Sequence, residues 1–440
     1  MSIGDDLRRA LTGPVLVPGE DGFEQGRRPW NLAIDQQVRA VVVAVDAHDV
    51  SALVRYARRN GLTITAQPSG HGASGDTADA ILLRTGQLDE FQVRPGHRTA
   101  RVGAGVKWAR VQKTASRYGL TGLAGSSPAV TVTSYLLGGG LSWFSRMYGQ
   151  ASGSVRAFDV VDADGSRTCV DADTDPDLFW ALRGGGGDYA LVTAVDFDLQ
   201  PVDALYGGRM LWPAEQAARV LDAFREVTAT APDQLTTWYT LIHPAASPPL
   251  VAVDVTYLGQ AADGEAALSR LDQIAGRLYD SRGKMAVADL GDITAEATDP
   301  GPFTSRTELL TALDDEAAAR LLDRPIDPLR KVQIRHLGGA FARPSDSAAG
   351  HIGEPYSMYM FGIPGEGVRD RFESLAHTLA SHTTGRKPFT HLAPGEHAAS
   401  AFPEATLGRL RAVKRRRDPY GVFRSNFPVL AGEIQVAARR

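Results

Sequence analysis

The sequence predicts an α+β protein built as two lobes around one site. Three observations carry this. A β-α-β pattern near the N-terminus runs into a loop of small residues between Gln67 and Gly75. Glycine density is high as far as about residue 200 and then falls. Beyond that point strands and helices alternate without glycine-rich loops, until a basic helix stopped by Pro419 changes the pattern again. A chain of 440 residues accommodates two or three domain-sized units. The boundaries read from these changes are 1–205, 206–390 and 391–440, with the last segment expected to return to the first lobe.

A short helix is expected over residues 4–11, then an irregular stretch containing Pro29-Trp30-Asn31. The β-branched run at 38–45 reads as a buried strand. Asp46 and Asp49 suit the cap of a helix over 50–60, where Leu53, Val54 and Ala57 recur at helical spacing and Gly61 ends it. Residues 62–66 form the next strand. Parallel strands joined by a helix place ligands at the loop past a carboxyl end. The loop QPSGHGASG occupies that place, and Gly70 and Gly72 leave His71 without steric cover.

Strands follow at 80–84, 90–94 and 99–102, then a helix over 106–118 and a loop, Gly125-Ser126-Ser127-Pro128. Residues 131–137 lead into Gly138-Gly139-Gly140. A hairpin is expected over 155–162 and 168–170, turning at Asp164-Gly165. DPDLFWAL opens a helix at Pro176 and ends in Gly184–Gly187, before a strand at 190–199. In the second lobe strands are expected at 208–212, 236–243, 249–258, 284–290, 331–341 and 356–362. Helices are expected at 214–230, 264–279, 315–322 and 367–379, on a largely antiparallel sheet, and the tail holds a helix at 404–417.

The charged fraction is 22% and the net charge −4, which leaves no basic footprint for nucleic acid or an anionic membrane. No apolar run approaches the ~20 residues of a membrane span. The acidic, amphipathic start reads as no secretory signal, so a cytoplasmic location is expected. The single Cys169 excludes an internal disulfide and argues against a cysteine-type metal site.

Taken in order, several stretches form one set. They are Pro29-Trp30-Asn31; Ser69 to Ser74 around His71; Gly138–Gly140 with Arg146-Met147-Tyr148-Gly149; DPDLFWALRGGGG; Leu337-Gly338-Gly339-Ala340; and Asp418-Pro419 with Phe423, Arg424 and Asn426. Over nearly the whole chain this set resembles the berberine-bridge-enzyme-like flavin oxidoreductases, within the vanillyl-alcohol-oxidase or PCMH-type FAD-binding fold. The resemblance implies an FAD lobe (1–205 plus the tail) and an α+β substrate lobe. It implies a bond from His71 to the 8α carbon of the flavin, with backbone amides of Ser69, Gly70, Gly72, Ala73 and Ser74 at the pyrophosphate. It places Ser126 and Ser127 near the ring. Ser127 stands where many members have a second, cysteinyl link, so one covalent link is expected. Gly138, Gly139, Gly140 and Gly187 are expected to pack backbone on FAD, with Tyr148, Val192 and Asn426 beside it. Val155 or a neighbour is expected to tune oxygen access.

The implied activity is hydride transfer from a small organic molecule, such as a secondary-metabolite intermediate, to FAD, with dioxygen reoxidising the flavin to give hydrogen peroxide. High Ala, Arg and Gly with little Lys suggests a GC-rich bacterial source. The tyrosines that family members supply as bases are absent here. Tyr239, His336, Tyr359 and His397, together with Glu396, are the candidate replacements. A non-redox cyclisation or elimination by a flavin-containing enzyme is the alternative, and a flavin-holding binding protein a third. Oligomeric state is not legible.

Overall fold

The computed structural model describes residues 2–431. Two main sheets, with a two-stranded ribbon of Leu120–Thr121 and Gln200–Pro201, make up the first lobe. The smaller has the order Val15–Leu16, Val38–Val43, Ala80–Arg84, Ile64–Ala66. Its last three strands run parallel, and Ala80–Arg84 lies between the two strands of the expected β-α-β unit. Asp46 caps the crossover helix Ala47–Arg59, accepting from the amides of His48 and Asp49. Asp49 is not part of that cap. Its carboxylate accepts from the amides of Thr12, Gly13 and Val45, tying the N-terminal turn to the sheet. The second sheet has five antiparallel strands, including the expected hairpin Val155–Val161 with Arg167–Val170.

The second lobe is one eight-stranded antiparallel sheet. From one edge it runs Tyr279–Asp280, Leu205–Pro213, Leu250–Leu258, Leu235–Ile242, Lys331–His336, Tyr356–Gly362 and Thr304–Leu310, with Gly283–Lys284 also pairing on Leu205–Pro213. The pairing register sorts its side chains onto two faces. Tyr239 lies opposite Ile334, and Trp212, Met358 and Met360 are buried in the same cluster beneath the helices Ala217–Ala229, Asp315–Leu322 and Val368–Thr378. On the other face Arg335 lies between Trp238 and Ser357, and Gln333 between Thr240 and Tyr359. Trp238 stacks on Trp143 of the first lobe, ring centroids 3.6 Å apart at 13°. The odd-numbered face of Lys331–His336 and Tyr356–Gly362 is therefore turned to the first lobe.

Several expected elements differ. The strand expected at 284–290 is the two-residue Gly283–Lys284 followed by a 3-10 turn, Val287–Asp292, because only Val287 and Leu290 are buried there. The strand expected at 331–341 stops at His336. Gly338 and Gly339 have φ of 79° and 56° and start the turn Gly339–Ala342. The helix expected at 264–279 is two short ones, Ala261–Ala267 and Ser269–Asp272, and Tyr279 has joined the sheet edge. Thr304–Leu310 reads TSRTELL, with no clean alternation to mark it as a strand, and takes its place only through pairing with Tyr356–Gly362.

The tail docks on the first lobe. Ile64 donates to Val422 O at 2.7 Å, and Arg424 N returns a bond to Ile64 O at 2.9 Å. Among the described residues no helix is long and apolar enough to cross a membrane.

Candidate active site

Between the two lobes lies a cavity of about 770 Å³, within the range of small-molecule and cofactor sites. The ends of the parallel strands open onto it through Ala66, Pro68 and Thr85. His71 and Gly72 continue that wall, as the loop position predicts. Gly70 has φ of 78°, and a Cβ there would stand 2.8 Å from Pro29 Cβ, so only glycine lets the loop lie on the Pro29-Trp30 segment. Trp30 then stacks on His71 at 4.1 Å and 17°. Ser69 Oγ is 2.8 Å from His71 Nδ1. That leaves Nε2 buried with no partner. Burial, with Lys107 adding to it, lowers the imidazole to about 4, so His71 is neutral near pH 7.

Of the expected cofactor residues, His71, Gly72, Ser126, Ser127, Gly138 and Gly187 line the cavity, with Val192 and Asn426. A Cβ at Gly72 or Gly187 would meet no atom closer than 3.8 Å and would project into the cavity, so both glycines leave room for a ligand. Asn426 is held by Gln67 Nε2, which donates to its Oδ1 at 3.0 Å. Ser69, Gly70, Ala73 and Ser74 lie in the loop behind this wall and are not on the cavity surface. The structure corrects three further expectations. Gly139 and Gly140 are packing positions: Cβ atoms there would stand 2.6 Å from Gln150 Oε1 and 2.4 Å from the Tyr135 ring. Tyr148 packs on the first lobe's core, away from the cavity. Val155 is likewise buried in that core.

The sheet face supplies the opposing chemistry. Tyr359 is on the cavity. Tyr239 is not: it points to the helical face, is fully buried and donates its hydroxyl to Ala217 O at 3.1 Å. His336 also lies on the far face, 3.1 Å from Arg146 Nη1. His397 is exposed at the start of a 3-10 turn. Glu396 is engaged with Lys387 and with the Ala393 amide. Alternation decided the strand cases, and strand parity is invisible until the register is known.

Residues that the sequence did not single out complete the wall. His391 lies beside Tyr359, ring centroids 5.6 Å apart, and its Nδ1 is buried and unpartnered. Burial and the charge of Arg335 lower its imidazole to about 3. Tyr359 is pushed up to about 12, by burial first and then by Glu296, so it is a phenol near pH 7. Tyr135 Oη is buried without a partner, and burial raises its pKa too. Glu296 pairs with Lys331 at 3.3 Å; burial pushes its carboxyl up, but Lys331 and Arg335 outweigh that and hold it low. His391 sits six residues before His397 in a loop without periodicity, so no sequence signal distinguished the two.

The cavity, its open glycine walls and the unpartnered imidazole describe a flavin site, and comparison with known proteins agrees. The FAD binding domain family matches residues 38–170. (R)-6-hydroxynicotine oxidase of Paenarthrobacter nicotinovorans is 26% identical over 96% of this chain and 97% of its own. The crystal structure of 6-hydroxy-D-nicotine oxidase from Arthrobacter nicotinovorans superposes with a TM-score of 0.82 at 24% identity, covering 94% of this chain and 97% of that one. Berberine bridge enzyme from Eschscholzia californica gives 0.83 at 19% identity, with 97% and 98% covered. The protein is an FAD-dependent enzyme of the oxidoreductase class with the PCMH-type fold. Its full-length relatives include FAD-linked oxidoreductases and oxidases, and its fold is the one seen in berberine bridge enzyme. Among the described residues no cluster suited to a metal ion is present.

Proposed function

We propose that this protein is an oxidase that carries FAD covalently on His71 and oxidises a small organic molecule. One observation carries the reading: His71, neutral and with a buried Nε2 that has no partner, lines a cavity whose walls also hold Tyr359 and His391. Bound FAD supplies a two-electron acceptor that takes hydride from the substrate and passes its electrons to dioxygen, releasing hydrogen peroxide.

The chain's own residues do the rest. Trp30 and the Ser69 contact fix the His71 ring so that Nε2 is the nitrogen offered to the cofactor. Ser127 carries no thiol, so His71 is the one tether. Gly72 and Gly187 keep side chains out of the cofactor's space. Tyr359, protonated, donates a hydrogen bond to the substrate heteroatom. His391, neutral, accepts the proton that leaves as the hydride departs.

The test is the absorption spectrum of the purified protein before and after acid precipitation, with His71→Ala in parallel. A yellow pellet that the variant loses supports the tether. A white pellet under a yellow supernatant overturns the tether, and a colourless protein that takes up no added FAD overturns the reading. Turnover with an unchanged flavin spectrum and no peroxide would make the reaction non-redox.

A further inference from the structure

We propose that Arg335 forms an anion subsite and that the substrate carries a carboxylate beside an aromatic ring. This deepens the preceding reading and rests on it, because it takes the cavity as the substrate site. Arg335 is 8% exposed and lines the cavity. Its guanidinium lies over the Trp238 ring at 4.3 Å and 5.4 Å from the Tyr359 centroid. Its Nε donates to Gln333 Oε1 at 2.7 Å. Among the described residues, its two terminal amino groups donate to nothing and no carboxylate lies within ion-pair distance.

Other buried arginines are satisfied. Arg209 sits on the same sheet face and is neutralised by Asp254 at 2.5 Å. Arg146 donates to Leu235 O, Leu337 O and Ala231 O. Arg183 pairs with Asp346. The nearest acid to Arg335 by its influence, Glu296, is already held by Lys331, and Asp299 on the same cavity makes no ion pair with it. A guanidinium this deeply buried, open only to the cavity and with only a carboxylate already held by Lys331 acting on it, is costly to keep, so the arrangement calls for an anion that arrives with the ligand.

The neighbouring orphan polar atom has the same preference. Tyr135 Oη is a buried donor close enough to feel the Arg335 charge. The planar fork of arginine matches a carboxylate. Phe303 and Phe361, stacked at 5.7 Å, and Phe389 supply aromatic surface on the same cavity.

Benzoate and its neutral counterpart benzamide are the probes, titrated into the purified holoenzyme and followed by flavin difference absorption and by calorimetry. Benzoate is expected to bind about tenfold or more tightly than benzamide, the size of one charge-assisted contact. Arg335→Gln is expected to abolish that preference with flavin content unchanged, and Arg335→Lys to keep part of it. Equal affinities in the wild type, binding of neither probe, or a preference that survives Arg335→Gln overturns the subsite. The wild-type comparison needs no variant. Calorimetry reads the preference even on protein without flavin, so failure of the oxidase reading and failure of the subsite give different results.

Discussion

Tyr359 and Tyr239 are the same residue type on two strands of one sheet, and only Tyr359 lines the cavity. The difference is parity: Tyr359 shares a face with Gln333 and Arg335, while Tyr239 shares its face with Ile334 beneath the helices. Substituting each with phenylalanine separates the roles. In the proposed reaction, Tyr359→Phe removes a donor at the reacting heteroatom, and His391→Gln removes the proton acceptor. Each is expected to lower kcat by about 10²-fold or more, the usual weight of an acid–base group. Tyr239→Phe removes only the bond to Ala217 O, so kcat is expected to hold while stability falls by about 1 kcal/mol. Steady-state peroxide release and urea melts read the two effects. A kcat drop in Tyr239→Phe alone would reverse the assignment. The place of His71 on the cavity could be read from sequence because its loop follows a strand of the β-α-β unit and stands among a set of family motifs, whereas the glycines and serines alone say little. The proton-handling wall could not, because it depends on strand register and on a loop that brings in His391.

At the scale of elements, the closing motif shows how a short signature becomes structure. Lys414, on the last turn of the helix Glu404–Arg417, is buried and donates to Asp188 O, Asp418 Oδ2 and Phe423 O, at 2.7–2.8 Å. Asp418 also accepts from the amides of Val422 and Phe423. Asp188 does the same for Ser425 and Val429. Two buried carboxylates thus fold the tail onto Ile64–Ala66 and deliver Asn426 to the cavity. Asp418→Ala strands a buried ammonium and two amides, and a loss of about 3–5 kcal/mol is expected, read from the denaturation midpoint. A loss under about 1 kcal/mol would mean the tail is not held this way. Elements such as Val38–Val43, Pro176–Leu182 and Glu404–Arg417 were legible because their local signals, a β-branched run, a helix opened by Pro176 and a helix stopped by Pro419, agree with tertiary burial there. Thr304–Leu310 and the broken 264–279 helix were not, because the neighbouring strand, not local propensity, determines them.

At the scale of the whole molecule, His71, His336 and His391 are all held neutral in the interior, at about 4, 3 and 3, by burial first and then by Lys107, Arg146 and Arg335 respectively. In the unfolded chain each titrates near about 6.5. Above that value both states are neutral and the three residues contribute no pH dependence. Between about 6.5 and 3 the unfolded chain binds up to three protons that the native state refuses, so stability falls as pH falls. Asp254 works the other way, since burial raises its carboxyl, but it is one group against three. Separations of this size sum to several kcal/mol on the order-of-magnitude scale of linkage, enough to bring a domain of ordinary stability near its threshold. Thermal melts of the purified protein are therefore expected to be level from about pH 8 to 7 and to drop steeply from about 6.5 towards 4. His336→Gln, whose amide can still meet Arg146 Nη1 and which does not line the cavity, is expected to shallow that slope without altering the flavin spectrum. A level profile through about pH 5, or a slope unchanged in the variant, would show that the buried imidazoles accept protons in the native state.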